Sequence, residues 1–217
     1  MASYRIRYQT LEIGEQDIHL CTLRDLNQYS DDQGAAARAG IPPATWPLFG
    51  VVWPSSMILT HHMLDWDTEG LRILEIGCGI GLTSLMLQQR NEDITATDRH
   101  PEVRGFLERN ATLNGLNAIP YSQCDWEDDE DNLGLFDLLL GSDLVYEPGQ
   151  AEMLAAFIER HASERCEIVI VDAGRREQTR FNGCMEHLGF THTSQFPTDI
   201  GFLEQPFRGR IRHYSRR

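Results

Sequence analysis

Apolar and polar residues change rhythm several times along the 217-residue chain, and each rhythm predicts an element. From Tyr4 to Leu23, YRIRYQTLEIGEQDIHLCTL, the two kinds alternate on both sides of Gly14, Glu15 and Gln16, which predicts a β-hairpin. Residues 25–40 lack a period and read as an exposed link, placed where a lid or substrate-contacting flap can sit. Pro42, Pro43, Pro47 and Pro54 force extended backbone on the residues before them, so residues 41–53 are expected to be a stiff, non-helical approach. A helix then starts at Pro54 or Ser55, with Met57, Ile58, Met63, Leu64 and Trp66 on one side, although His61 and His62 blur its pattern.

The strongest signal is LRILEIGCGIGL, Leu71 to Leu82: an apolar, β-branched run suited to a strand buried on both faces, then glycines at 77, 79 and 81, then a helix over Thr83 to Arg90. A second strand is expected over residues 94–98, a helix from Pro101 to Gly115, and strands over 118–123 and 136–140. A helix over 150–162, a strand over 167–172 and a helix over 176–188 ended by Gly189 follow. Residues 190–196 and 208–214 read as a closing antiparallel pair. Strands alternating with helices predict an α/β fold around a mostly parallel sheet.

A glycine-rich turn between strand and helix is where such sheets bind nucleotides, because backbone can approach the ligand and helix N–H groups face it. The dinucleotide pattern G-x-G-x-x-G/A is not met, since Leu82 occupies the small-residue slot, and no Gly-Lys-Ser/Thr follows for a Walker loop. The pattern present is Glu75, then Gly77, Gly79 and Gly81. Here the chain resembles the class I S-adenosylmethionine-dependent methyltransferases. By that resemblance the backbone from Gly77 through Cys78 to Gly81 would meet the methionine portion of the cofactor, S-adenosyl-L-methionine, and Glu75 would support its amino end directly or through water. Cys78 itself reads as a small packing residue in the turn. Asp98 ends the second strand at the spacing expected of a βαβ unit, where a carboxylate can accept hydrogen bonds from ribose hydroxyls. Arg99 beside it reads as a surface residue at the rim of the same site. After the third strand, Asp125 and Trp126 fit the positions that meet the adenine amino group and ring in this class, and Ser142 lies on the same sheet edge.

Two further segments narrow the resemblance to methyltransferase family 16, a group rich in protein lysine methyltransferases. Trp53, in a W-P-S-x-x-I-L segment before the first sheet strand, is similar to a segment that lies beside the cofactor in that family. Asp143 and Tyr146 match its D-x-x-Y signature at the end of a central strand, where a carboxylate and a phenol three residues apart can both face an incoming amine. Leu144 and Val145 replace the prolines of the Asn/Asp-Pro-Pro-Tyr motif of methyltransferases acting on adenine or glutamine amides. The R-N-x-x-x-N-G pattern at Asn110, Asn114 and Gly115 also resembles the family and reads as helix-end structure.

Composition changes this picture only at the level of partners. A net charge of -14 argues against a nucleic-acid backbone and leaves basic proteins open; the acidic run over residues 127–131 could attract one. No apolar run approaches the ~20 residues of a membrane helix, and the N-terminus lacks a signal peptide's apolar centre, so a cytoplasmic protein is expected. The scattered Cys21, Cys78, Cys124, Cys166 and Cys184 suggest neither disulfides nor a zinc site. The expectation is a Rossmann-like seven-stranded class I methyltransferase fold over residues 45–217, with an N-terminal β-hairpin and linker extension over 1–44. Its expected activity is methylation of a protein side chain, lysine first, with Asp143 and Tyr146 as catalytic residues. The alternatives are a small-molecule N- or O-methyltransferase, favoured if the N-terminal segment closes over a small pocket, and a non-catalytic cofactor-binding scaffold.

Overall fold

The computed structural model describes residues 4–129, 132–174 and 177–217. The opening alternation forms two antiparallel strands, β1 (Ile6–Ile13) and β2 (Gln16–Leu23), which make a sheet of their own. The link that follows holds a short 3₁₀ turn, Leu26–Gln28, and one turn of helix, α1 (Ala35–Arg38).

The proline-rich stretch departs from the extended approach expected for it, because a 3₁₀ helix spans Pro43–Gly50. Proline suits the first turn of a helix, where its fixed φ is compatible and its missing N–H has no partner to lose. Pro43 takes that place, the Thr45 N–H and hydroxyl both reach the Pro42 carbonyl at 2.9 Å, and Trp46 Nε1 donates to the Ile41 carbonyl at 2.8 Å. Helix α2 (Pro54–His62) starts where expected but ends before Leu64 and Trp66.

The main sheet comprises β3 (Arg72–Ile76), β4 (Asp93–Asp98), β5 (Tyr121–Gln123), β6 (Phe136–Ser142), β7 (Ala162–Asp172), β8 (Thr191–Gln195) and β9 (Arg210–Arg216), in the order β5-β4-β3-β6-β7-β9-β8. Strands β5, β4, β3, β6 and β7 are parallel, and β9 runs antiparallel to both β7 and β8. Helices α3 (Leu82–Gln89), α4 (Val103–Leu113), α5 (Gln150–His161) and α6 (Gln178–His187) connect them. Strand β5 is shorter than expected: Pro120, which has no N–H to donate, contributes only its carbonyl, to Ala96 N–H at 2.9 Å. Residue Arg176, expected to open the last helix, and Glu130 and Asp131 of the acidic run lie outside the described residues. Among the described residues no helix is long and apolar enough to cross a membrane.

Side-chain alternation in the central strands supplies both faces of the core. Ile73, Leu138, Leu140, Val169 and Val171 join α2, α3, α4 and β2 on one face, while Leu74, Ile76, Leu139, Ile168 and Ile170 join α5 and α6 on the other. Ile13, Ile18, Leu20, Cys21 and Leu23 place the hairpin in the first of these cores. The two asparagines of the helix-end pattern dock it: Asn110 Oδ1 accepts from Cys21 N–H at 2.7 Å, and Asn114 bonds His19 N–H at 2.8 Å and its carbonyl at 2.7 Å. They satisfy backbone groups of β2 that β1 leaves unpaired, a role beyond ending the helix.

The chain leaves β3 toward β4 on one side and returns to β6 on the other, so a crevice opens above the carboxyl ends of β3, β4 and β6. The end of β7 borders it. There Gly209 lies flat against the strand, and a Cβ on it would overlap both the Asp172 carbonyl oxygen and the Phe207 ring. Gly209→Ala is expected to lower stability by about 2–3 kcal/mol, read as a lower urea midpoint with an unchanged slope. An unchanged midpoint would refute this reading of the contact.

Candidate active site

The turn after β3 holds Gly77, Gly79 and Gly81 at φ of 62°, 54° and 78°, a region costly for side chains. A Cβ on Gly77 would come within 2.7 Å of Leu144 Cδ2, and one on Gly79 within 2.9 Å of the Phe49 carbonyl oxygen. Both glycines also line the floor of a cavity, to which they present backbone alone. Asp98, at the end of β4, fixes that floor: Oδ2 accepts from Gly79 N–H at 3.0 Å and Oδ1 from His100 N–H at 2.8 Å. Burial raises the Asp98 carboxyl above its ordinary range, and these two backbone bonds oppose the rise.

The walls bring together most of the residues singled out in the sequence: Trp53, Gly77, Cys78, Gly79, Asp98, Arg99, Asp125, Trp126, Ser142, Asp143 and Tyr146 all line this one cavity. Arg99 is more than a surface cation, since it lies 3.3 Å from the Asp125 carboxylate and donates to the Ala39 carbonyl at 3.2 Å, tying the N-terminal link to the wall. Trp53 is held by a 2.8 Å bond from its indole N–H to the Leu48 carbonyl. Cys78 is buried, and that burial pushes its thiol well above the usual range, as a packing residue requires.

Asp143 leaves β6 in the left-handed region, at φ 50°. Its N–H bonds the Val171 carbonyl at 2.9 Å and its Oδ1 accepts from Ala173 N–H at 3.1 Å, so the end of β7 holds it. Leu144 and Val145 are buried beneath the turn, and Tyr146 comes back to the cavity wall. Burial, followed by the charge of Glu147, raises the Tyr146 phenol, which therefore stays protonated at neutral pH.

Two expected residues lie elsewhere. Gly81 is the N-cap of α3 and packs beneath Leu107. Having no side chain, it cannot cap the helix, and buried Glu75 does so instead: its Oε2 accepts from Ser84 N–H at 2.9 Å and from the Ser84 hydroxyl. Its carboxylate thus faces the first turn of α3 instead of forming a cavity wall. Burial lifts its pKa from 4.5 to about 7 against those hydrogen bonds. Because the folded value is the higher, the native state holds a proton that the unfolded chain has released, and stability falls as pH rises from 4.5 to 7. Glu75→Gln removes this dependence, so between pH 5 and pH 8 the variant is expected to gain about 2–3 kcal/mol on the wild type. Urea titrations at both values check it; parallel behaviour would contradict it.

Leu48, Phe49, His100 and Gln150 also line the cavity without having been marked by any motif. His100 stacks on Phe49 with ring centroids 4.0 Å apart, and burial lowers its pKa to about 4. The available signals were position alone: His100 lies two residues after Asp98, and Gln150 four after Tyr146.

The parallel sheet, the glycine turn and the carboxylate at the end of β4 define a Rossmann-like class I methyltransferase fold with an N-terminal hairpin. A similar solved structure is the 16S rRNA N2 G1207 methyltransferase RsmC of T. Thermophilus, in complex with AdoMet and guanosine; it has a TM-score of 0.67 at 12% identity, over 98% of this chain and 51% of that one. A sequence model of the lysine methyltransferase family matches residues 48–187, and the chain belongs to that family. Relatives include the electron transfer flavoprotein beta subunit lysine methyltransferase of Mus musculus, 27% identical over 64% of this chain and 55% of the relative. Another is the protein N-lysine methyltransferase METTL21A of Danio rerio, 32% identical over 46% of this chain and 51% of the relative. The chain thus spans about half the length of the curated relatives it matches.

Proposed function

We propose that the chain is an S-adenosylmethionine-dependent methyltransferase that modifies a protein side chain, lysine first. The observation that carries this reading is the meeting, in one cavity, of the Asp98-braced glycine floor with the Asp143–Tyr146 turn. The residues fit the cofactor. Gly77 and Gly79 line the cavity with backbone alone, and a Cβ at either would strike Leu144 or the Phe49 carbonyl. Asp98 supplies a carboxylate for the ribose hydroxyls, Asp125 an acceptor for the adenine amino group, and Trp126 and Trp53 apolar faces. When bound, S-adenosylmethionine supplies a sulfonium methyl group open to in-line displacement.

The protein's part is to position the acceptor and strip it of water. Asp143 accepts a hydrogen bond from the acceptor amine and orients its lone pair, while Tyr146 forms the wall that aligns it. A free lysine amine has a pKa near ~10.4, and a neighbouring carboxylate raises it further. Asp143 therefore serves docking and orientation, and deprotonation falls to another group. The net charge of -14 favours a basic protein substrate, with an attraction that weakens as salt rises. The scattered spacing of the five cysteines offers no disulfide framework, and the proposed setting is a reducing compartment such as the cytoplasm.

One observation favours small-molecule methylation as a second reading: Ile41 and Pro42, from the N-terminal stretch, help to enclose the cavity. Incubation with methyl-labelled cofactor and cytoplasmic extract separates the two. Label in proteins supports the first reading, label in small molecules alone the second, and cofactor binding with no transfer at all a scaffold.

A further inference from the structure

Gln150 is the first residue of α5, follows Gly149 at φ 88°, and is buried on the cavity wall. Its Oε1 accepts from Tyr146 N–H at 2.8 Å and from Glu147 N–H at 2.9 Å. Two backbone donors engage both lone pairs of one amide oxygen, so a single neighbour holds the backbone at Tyr146 and at the residue after it. The other end of the segment is fixed independently, with Asp143 bonded to Val171 and Ala173 at the end of β7. Leu144 and Val145 anchor the middle in the core. The catalytic segment thus has one clamp on β7 and one on α5.

We propose that Gln150 is a positioning residue that keeps Tyr146 in register with Asp143 for the methyl acceptor. This rests on the reading of the cavity as a methyl-transfer site. An apolar side chain at position 150 would fill the same space and keep the core intact, but it would leave the Tyr146 and Glu147 amides without their acceptor. A carboxylate there would accept from both.

The test uses Gln150→Leu and Gln150→Glu, with amide exchange at Tyr146 and Glu147 read by NMR beside kcat and the cofactor Kd. In Gln150→Leu the two amides are expected to exchange about tenfold faster than in the wild type. Its kcat is expected to fall roughly tenfold with the cofactor Kd unchanged. Gln150→Glu is expected to restore amide protection and recover most of the lost kcat. Unchanged exchange in Gln150→Leu, or faster exchange with an unchanged kcat, would overturn the proposal. The exchange measurement needs no turnover: a wild-type protein that transfers no methyl group sinks the methyltransferase reading, while the exchange ratio still decides whether Gln150 clamps the turn.

Discussion

Asp143→Asn is expected to slow methyl transfer by roughly 10²–10³-fold while the cofactor Kd stays within about threefold of the wild type. The substitution isolates charge from shape. Asn tolerates the left-handed backbone at φ 50° nearly as well as Asp, and its carbonyl oxygen can still accept from Ala173 N–H. The backbone bond from residue 143 to the Val171 carbonyl is untouched. What is lost is the anionic oxygen proposed to dock the acceptor amine, together with the charge-assisted share of that hydrogen bond. Asp143→Ala is the less informative variant, because a left-handed Ala adds backbone strain of about 1–2 kcal/mol to the loss of the carboxylate. Single-turnover rates with saturating cofactor, set beside titration calorimetry, separate the two quantities. Equal losses of rate and of cofactor affinity would mean that Asp143 belongs to the cofactor side of the cavity.

Asp98→Ala is expected to act in the opposite sense, raising the cofactor Kd by roughly 10²–10⁴-fold. The carboxylate has two duties in the structure. It accepts from Gly79 and His100 N–H groups, holding the floor of the cavity against the end of β4, and its charge is available to a diol above that floor. Hydrogen bonds to a charged group contribute about 1.5–3 kcal/mol each, which sets the range given. Asp98→Asn keeps one acceptor oxygen and should fall between wild type and Ala. Calorimetry reads both, with circular dichroism as the check that the sheet survives. An affinity unchanged in Asp98→Ala would detach the β4 carboxylate from the ligand altogether.

The centre of the sheet was legible because β3, β6 and β7 carry apolar runs, and because a strand running into Gly77, Gly79 and Gly81 leaves little choice of local geometry. The places of Asp98 and Asp143 on the cavity wall were legible for a related reason: an acid at the end of a buried strand lies on the one edge where the topology reverses. The proline-rich stretch misled because proline excludes the α-helical interior but fits a 3₁₀ turn, and its neighbours' bonds to Ile41 and Pro42 cannot be read from spacing. The bonds of Glu75 to Ser84 could not be read from sequence, because an acid beside a glycine turn can serve a ligand, the helix behind it, or both. Gly81 cannot cap α3, so the helix claims the carboxylate. Gln150 and His100 carry no motif, and their roles exist only once α5 and the β4 end are folded against the same cavity.

Transfer of a methyl group from this cavity to a lysine side chain, as proposed, is tested most directly by the chemistry of the product. Proteins labelled by the chain from methyl-labelled cofactor are hydrolysed, and the labelled amino acid is identified. Methylated lysine is expected, formed by the wild type and reduced to background by Asp143→Asn. Label on another amino acid, or lysine labelling that survives Asp143→Asn undiminished, would contradict it.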